Sequence, residues 1–305
     1  MSTKFNSRVF GCVIIKSLNS NYNADFTHQP RTLPDGTVYA TDKALKYTVR
    51  NLWDKFYSSE KSFYFKSFSA EMQPRTLDEN YQRFFGAYPE AKGKDAESVM
   101  RKAVLANLLS CLDVRIFGAT FAGKTNISIH GTCQITHGVN RFHEGVIYSE
   151  QIMSPFRNPG EKNADSTMTT LGSQSKLKEG HYVHHFSVNP KNIEAQNGEL
   201  STDDMQKLKE AFRKGATYYD SASKAGTENE LLLWVELKEG STLVLPTFVD
   251  MINIGEDRIL DFSKITTLLE KSHIKNEIQK IEIYYNDTVT VVTNQPANAQ
   301  KMELE

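Results

Sequence analysis

The sequence predicts a mixed α+β fold. Three observations carry this. A β-rich run stands at residues 8–16 (RVFGCVIIK), two segments at 41–56 and 201–216 place their apolar residues at helical spacing, and further β-rich runs follow each helix.

RVFGCVIIK is an apolar, β-branched run fit for a buried strand. The next 24 residues, SLNSNYNADFTHQPRTLPDGTVYA, are dense in Asn, Asp, Pro and Gly and read as a long loop. A loop of that length inside a compact domain points to function. Thr41 is a candidate N-cap for the helix TDKALKYTVRNLWDKF, whose Leu45, Val49, Leu52, Trp53 and Phe56 share one face. From Tyr57 to about Ala96 the chain is aromatic-rich but aperiodic, as expected of an inserted subdomain. Residues 97–112 form a helix, and NISIHGTCQITHG alternates as a strand. Residues 146–153 suit a strand, 154–180 a long polar hairpin or disordered loop, and 181–188 (HYVHHFSV) a strand. The helix at 201–216 opens with a capping box, Ser201 and Asp204. ENELLLWVELK, KIEIYYN and TVTVV read as strands, with a short helix near 262–272. The polar tail from Asn294 is expected to fray. Strand–helix, strands, then strand–helix–strand is the order of a ferredoxin-like (RRM-like) sheet with large insertions.

Composition narrows the functional classes. The 305 residues balance 36 Lys+Arg against 37 Asp+Glu, and 39% are hydrophobic, so the chain can build a core without staples. No apolar stretch approaches the ~20 residues of a membrane span. Cys12, Cys111 and Cys133 are few and far apart, which fits a reduced, cytoplasmic setting better than a disulfide framework. The charge is distributed unevenly. Residues 1–59 hold eight Lys/Arg against four Asp/Glu, whereas residues 225–305 hold seven against fourteen. One basic groove on an acidic body is compatible with binding a polyanion, because the local field decides.

Several motifs bear on chemistry. Gly118 to Thr125 (GATFAGKT) matches the P-loop pattern at every fixed position. That motif works only where a helix follows, and here the strand-like NISIHGTCQI follows, so a plain turn is expected. In the first helix Lys43, Lys46 and Arg50 fall at i, i+3 and i+7, on one stripe beside Tyr47. Arg31 in the preceding loop joins them if that loop folds back. Cations one helical turn apart can each meet a phosphate of an extended strand, although a solvated helix face is the plainer reading. His181 and His185 share one face of their strand and His184 takes the other, and no metal-ligand spacing is present. Asn23 and Asp25 could ligate Mg²⁺ but fit an Asx-turn cluster better. Between the capped helix and the next strand, TYYDSASKAGTEN offers Ser221, Ser223, Lys224 and Gly226, small and hydroxyl residues that permit close backbone approach to a phosphate.

Taken together, these stretches resemble the backbone subunit of type I CRISPR Cascade complexes, the Cas seven family, nearest its subtype I-B. Four stretches carry the resemblance: NSNYNADFTHQPRTLPDG running into TDKALKYTVRNLW; DVRIFGATF at 113–121; ISIHGTCQITHGVNRFHEGVI; and GHYVHHFSVNP followed by a helix and YYDSASKAG. The departures are mild: N-A-D for the family's N-G-D, T-D for S-D, and S-K-A-G for S-R-G.

The resemblance implies a single palm domain over 1–293, with a finger insertion at about 57–112, a thumb-like hairpin at about 146–183, and a flexible tail at 294–305. It implies a non-catalytic subunit without cofactor or metal. Copies oligomerise head to tail along a CRISPR guide RNA and present it for pairing with target DNA in antiviral defence. Large, cap and repeat-processing endoribonuclease subunits would be further partners. The implied RNA-binding residues are Arg31, Thr41, Lys43, Lys46, Tyr47, Arg50, Arg141, Ser221, Ser223 and Lys224, with Met168 and Leu171 as thumb wedges between bases. The alternative is a type III kind of backbone subunit that cleaves RNA with a metal held by Asp25.

Overall fold

The computed structural model describes residues 3–90, 93, 95–153 and 171–305. The chain opens with strand β1 (Val9–Ser20), then β2 (Tyr39–Ala40) and helix α1 (Asp42–Phe56). Helices α2 (Leu77–Phe85), α3 (Ala96–Leu109) and α4 (Leu112–Phe117) follow, with the hairpin β3 (Gly118–Ala122) and β4 (Asn126–His130). Next come β5 (Cys133–Ile135), β6 (Gly138–Asn140), β7 (Ile147–Met153), β8 (Leu171–Val188), α5 (Thr202–Tyr218) and β9 (Thr227–Leu237). The remainder holds β10 (Asn253–Ile254), β11 (Leu260–Asp261), α6 (Ser263–Leu269), α7 (Ser272–Lys275), β12 (Ile278–Tyr285), β13 (Val292–Thr293) and β14 (Ala299–Met302).

The main sheet runs β14-β12-β9-β1-β8-β6-β2, with β5 and β7 also paired to β8. β1 lies antiparallel between β8 and β9 and alternates strictly. Val9, Val13 and Ile15 enter one core, and Phe10, Cys12 and Ile14 enter the other. The first core packs α1 and α5 on the sheet through Leu45, Val49, Leu52, Trp53, Leu208 and Phe212. The second covers the opposite face with the acidic C-terminal third, through Phe248, Ile252, Leu260, Phe262 and Ile265. Gly11 is needed here, since a Cβ would stand 2.1 Å from the Leu233 carbonyl and 2.5 Å from the Phe186 ring.

A third core lies beside the sheet, built from Phe63, Tyr81, Tyr88, Val104, Leu108, Phe121, Ile127 and Ile129. It gives order to the aperiodic stretch after Tyr57. Thr76 and Glu79 form a capping box that starts α2, and the helix expected over 97–112 is interrupted at Ser110-Cys111, so that DVRIF lies in α4.

Other expectations need correcting. TVTVV is not a strand along its length, because Asn286 draws Thr288, Val289 and Thr290 into a turn and only Val292–Thr293 pairs. The tail does not fray throughout: Ala299–Met302 pairs parallel with β12 and Leu304 is buried. Polar side chains obscured it because a four-residue edge strand needs few apolar contacts. β7 pairs with Leu171–Leu177 of β8, which begins ten residues before the expected strand. Met168 lies outside the described residues, as does the Leu171 side chain.

Candidate nucleic-acid interface

The first loop folds back onto the start of α1. Asn23 Oδ1 accepts hydrogen bonds from the Thr41 backbone N–H at 2.8 Å and from its hydroxyl at 3.0 Å. Thr41 therefore occupies the N-cap position with extended backbone but spends its hydroxyl on the loop rather than on the helix. The next residue, Asp42, suits the positive end of the helix dipole. Its two oxygens accept from Lys43 at 2.8 Å and Lys46 at 2.9 Å, and its backbone N–H points at His137 Nδ1, 3.4 Å away. Burial pushes the Asp42 carboxyl up, but the two ammonium groups outweigh it and hold it below the usual carboxylate range.

The stripe predicted from spacing exists, but its three cations differ in use. Lys43 is 80% exposed, whereas Lys46 and Arg50 are each 14% exposed. Arg50 Nε donates to Asp113 at 2.8 Å, and Asp113, fully buried, also accepts from the backbone N–H groups of Phe63 and Tyr64. Arg50 is thus a clamp between α1, α4 and the third core. The Phe117 ring lies 5.4 Å from Lys46 Nζ and 5.1 Å from Arg50 Cζ, and stacks on Trp53. A groove of about 410 Å³ opens along this face between Lys43, Lys46 and Tyr47 on one side and Tyr64, Phe117 and Thr120 on the other.

Tyr47 links the stripe to the loop after α5, because its ring meets Tyr219 at 5.1 Å. Contact with Tyr219 adds to burial in pushing its hydroxyl up to about 12. In that loop the Ser221 carbonyl accepts from Lys224 and Ala225, and the Ser223 carbonyl accepts from the Asn21 N–H at 2.8 Å. Gly226, at φ +96°, lies so close to the end of β1 that a Cβ would stand 2.1 Å from the Leu18 carbonyl. Lys224 donates to the Tyr22 carbonyl at 2.6 Å, and burial pulls its ammonium down to about 8. Its charge is turned onto backbone carbonyls, which fits a brace between two loops better than an open phosphate contact.

The structure therefore brings together Thr41, Lys43, Lys46, Tyr47 and Arg50, and sets the Ser221–Lys224 loop beside them through Tyr219. Arg141 stands apart, tied to Asp250 at 3.0 Å on the opposite face of the sheet. Arg31 shares the first loop with Asn23, to whose carbonyl its N–H donates, but it does not line the groove.

Asp25 forms a turn. Its Oδ1 accepts from the Thr27 N–H and hydroxyl and the Gln29 N–H, and the Thr27 hydroxyl leads these bonds in lowering its carboxyl below the usual range. Among the described residues no group of three His, Cys, Asp or Glu is placed to hold a metal ion. The P-loop match is a β-hairpin: Gly118 begins β3, Asn126 begins β4, and Lys124 lies 5.2 Å over the Tyr88 ring. No helix follows it, so its N–H groups cannot cradle phosphates. The expectation of a turn after a helix missed only that β3 itself lies within the motif.

His184 is structural. His184 Nδ1 lies 3.1 Å from the Thr136 carbonyl, which only accepts, so Nδ1 carries the proton and Nε2 accepts from Tyr22 at 3.2 Å. Sequence reasoning missed Asp113, Phe117 and Tyr219 as parts of this face. Asp113 and Phe117 stood in the DVRIFG run, but their contact with α1 bridges more than sixty residues.

No curated protein matches the chain. Among solved structures, one titled "CRISPR RNA-guided surveillance complex, pre-nicking" aligns at a TM-score of 0.58 and 12% identity, covering 97% of this chain and 96% of that one. A second, "CRISPR RNA-guided surveillance complex", aligns at 0.44 and 12%, covering 94% and 96%. The first likeness establishes a shared fold. The model of the family described as "CRISPR-associated protein Cas7" matches residues 7–285, so the chain belongs to the Cas7 family.

Proposed function

We propose that this chain is a backbone subunit of a type I CRISPR surveillance complex, of subtype I-B character. It binds guide RNA without cutting it and stacks head to tail with copies of itself along that RNA. The observation that carries this reading is the groove along α1, where a cationic stripe lies beside the aromatic rings of Tyr47 and Tyr64. Cations that track a backbone beside rings that stack on bases suit a single strand with little sequence preference. Base pairing between the guide and target DNA then supplies the sequence specificity.

The sheet supports a ferredoxin-like palm. β9, β1, β8 and β6 are neighbours in that order, and α1 and α5 pack in one core on one face. The third core would be the finger and the β7–β8 pair the thumb, with Met168 and Leu171 as wedge candidates. The acidic C-terminal third would face other subunits of the complex, the large, cap and repeat-processing ones among them. The described helices include none long and apolar enough to cross a membrane, in keeping with a cytoplasmic site of action. Three donors of its own turn on one Asp25 oxygen favour a turn-forming role for this residue over metal-dependent cutting.

The test is a titration with fluorescent single-stranded RNA at several salt concentrations. The proposal expects binding that weakens steeply with salt and is nearly equal for unrelated sequences. No binding at 50 mM salt, or strong preference for one sequence, would overturn it.

A further inference from the structure

We infer that Phe26 and Arg31, at the tip of the first loop, form a nucleotide clamp in which the ring stacks on a base and the guanidinium takes the adjoining phosphate. This rests on the RNA-binding reading above and adds a contact outside the α1 groove.

Phe26 is 97% exposed. A lone exposed apolar side chain needs no explanation, but the loop is built to hold this one out. Asp25 Oδ1 receives three hydrogen bonds, the Asp25 N–H donates to the Gln29 carbonyl at 2.8 Å, and His28 takes a left-handed φ of +66° to close the turn. Together with the Arg31 N–H bond to the Asn23 carbonyl, the Asp25–Gln29 contact makes an isolated antiparallel bridge between Ala24 and Pro30 at the base of the turn. The ring is therefore presented in solvent on a turn whose ordering cost is already met by folding, as a pre-organised contact requires.

Arg31 supplies the second half. Its Cζ lies 5.9 Å from the Phe26 ring centroid, and its Nε is buried without a hydrogen-bond partner. Among the described residues no carboxylate forms a salt bridge with its guanidinium, in contrast to Arg50, Arg115, Arg141 and Arg258, although the Asp25 carboxylate of the same turn lies near enough to be lowered by its charge. The Arg31 Nε is enclosed, so the two terminal nitrogens of the guanidinium, which hold no hydrogen bond among the described residues, are the donors that match phosphate oxygens. An exposed ring beside it matches the face of any base. Both halves of one nucleotide thus have a partner within one turn. Arg31 and Thr41 both bond to Asn23, which ties this tip to the start of α1.

The experiment uses the full chain and single-stranded oligoadenylate RNA, with Phe26→Ala, Phe26→Trp and Arg31→Gln. Trp53 and Trp234 are both buried, so a tryptophan introduced at 26 is the exposed reporter. The expected result is about tenfold weaker binding for Phe26→Ala. Phe26→Trp should bind near wild-type strength, with its fluorescence quenched by RNA but not by an oligomer lacking bases. Arg31→Gln should flatten the salt dependence by about one phosphate contact. Wild-type RNA binding that is unchanged in Phe26→Ala, with no quenching at position 26, would overturn the clamp and leave the groove reading intact. Unchanged RNA affinity with a smaller assembled particle would overturn it in favour of a protein contact. Absence of RNA binding by the wild type would overturn both readings.

Discussion

Arg50 donates its Nε–H to the buried Asp113 carboxylate at 2.8 Å, joining the cationic helix to the DVRIFG segment. The pair makes Arg50 part of the architecture as well as of the cationic stripe. Asp113 holds the backbone of Phe63 and Tyr64 with the same carboxylate, so the third core, the groove wall and α1 are fixed relative to one another by one buried charge.

Arg50→Ala should therefore act mainly on stability. Removing the cation leaves a buried carboxylate held only by two backbone N–H groups, with an expected loss of about 3 kcal/mol. Denaturant unfolding measures this, and a loss below about 1 kcal/mol would show that Asp113 does not depend on Arg50.

Lys43→Ala should do the reverse. Its side chain is mostly in solvent and shares Asp42 with Lys46, so stability should change by less than about 0.5 kcal/mol. RNA binding should weaken for all sequences alike, with the slope of log affinity against log salt smaller by about 1. An unchanged slope would remove Lys43 from the phosphate track.

Burial holds His184 and His185 down to about 4, against an ordinary 6.5. The unfolded chain binds these protons more readily than the folded one. Stability should be complete above about pH 6.5 and decline as pH falls toward 4, by roughly 3 kcal/mol for each histidine. His184→Gln should flatten that decline in urea melts between pH 4 and 7. A profile identical to wild type would contradict a buried neutral His184.

Gly118 stands at φ +78°, and a Cβ there would lie 2.3 Å from the Ile129 carbonyl and 2.5 Å from the Gly131 nitrogen. Gly118→Ala should cost about 2 kcal/mol or more, from backbone strain and from parting two chain segments that touch. Thermal melting tests it. An unshifted Tm would mean that the β3–β4 hairpin tolerates a side chain at its base.

Much of this was legible in the sequence, for local reasons. Period-two alternation separates His184 from His181 and His185, and they do enter opposite cores with their neighbours. The Ser201–Asp204 capping box forms as written, and its Asp204 also pairs with Arg115, which no spacing rule foretells. The Thr76–Glu79 box carried the same signal but stood inside an aromatic stretch without clear periodicity. Helical spacing put Lys43, Lys46 and Arg50 on one stripe. It could not reveal that Arg50 is matched by a carboxylate 63 positions later, or that Lys224 turns inward onto Tyr22. Those pairings belong to tertiary packing, where charge leaves no periodic trace.

The most direct test of the central claim is to co-express the chain with a CRISPR array and its companion subunits, then extract and sequence the nucleic acid that purifies with it. The account predicts uniform RNA of spacer and repeat sequence in a particle several times the 34.6 kDa of one chain. A monomer free of RNA would contradict it.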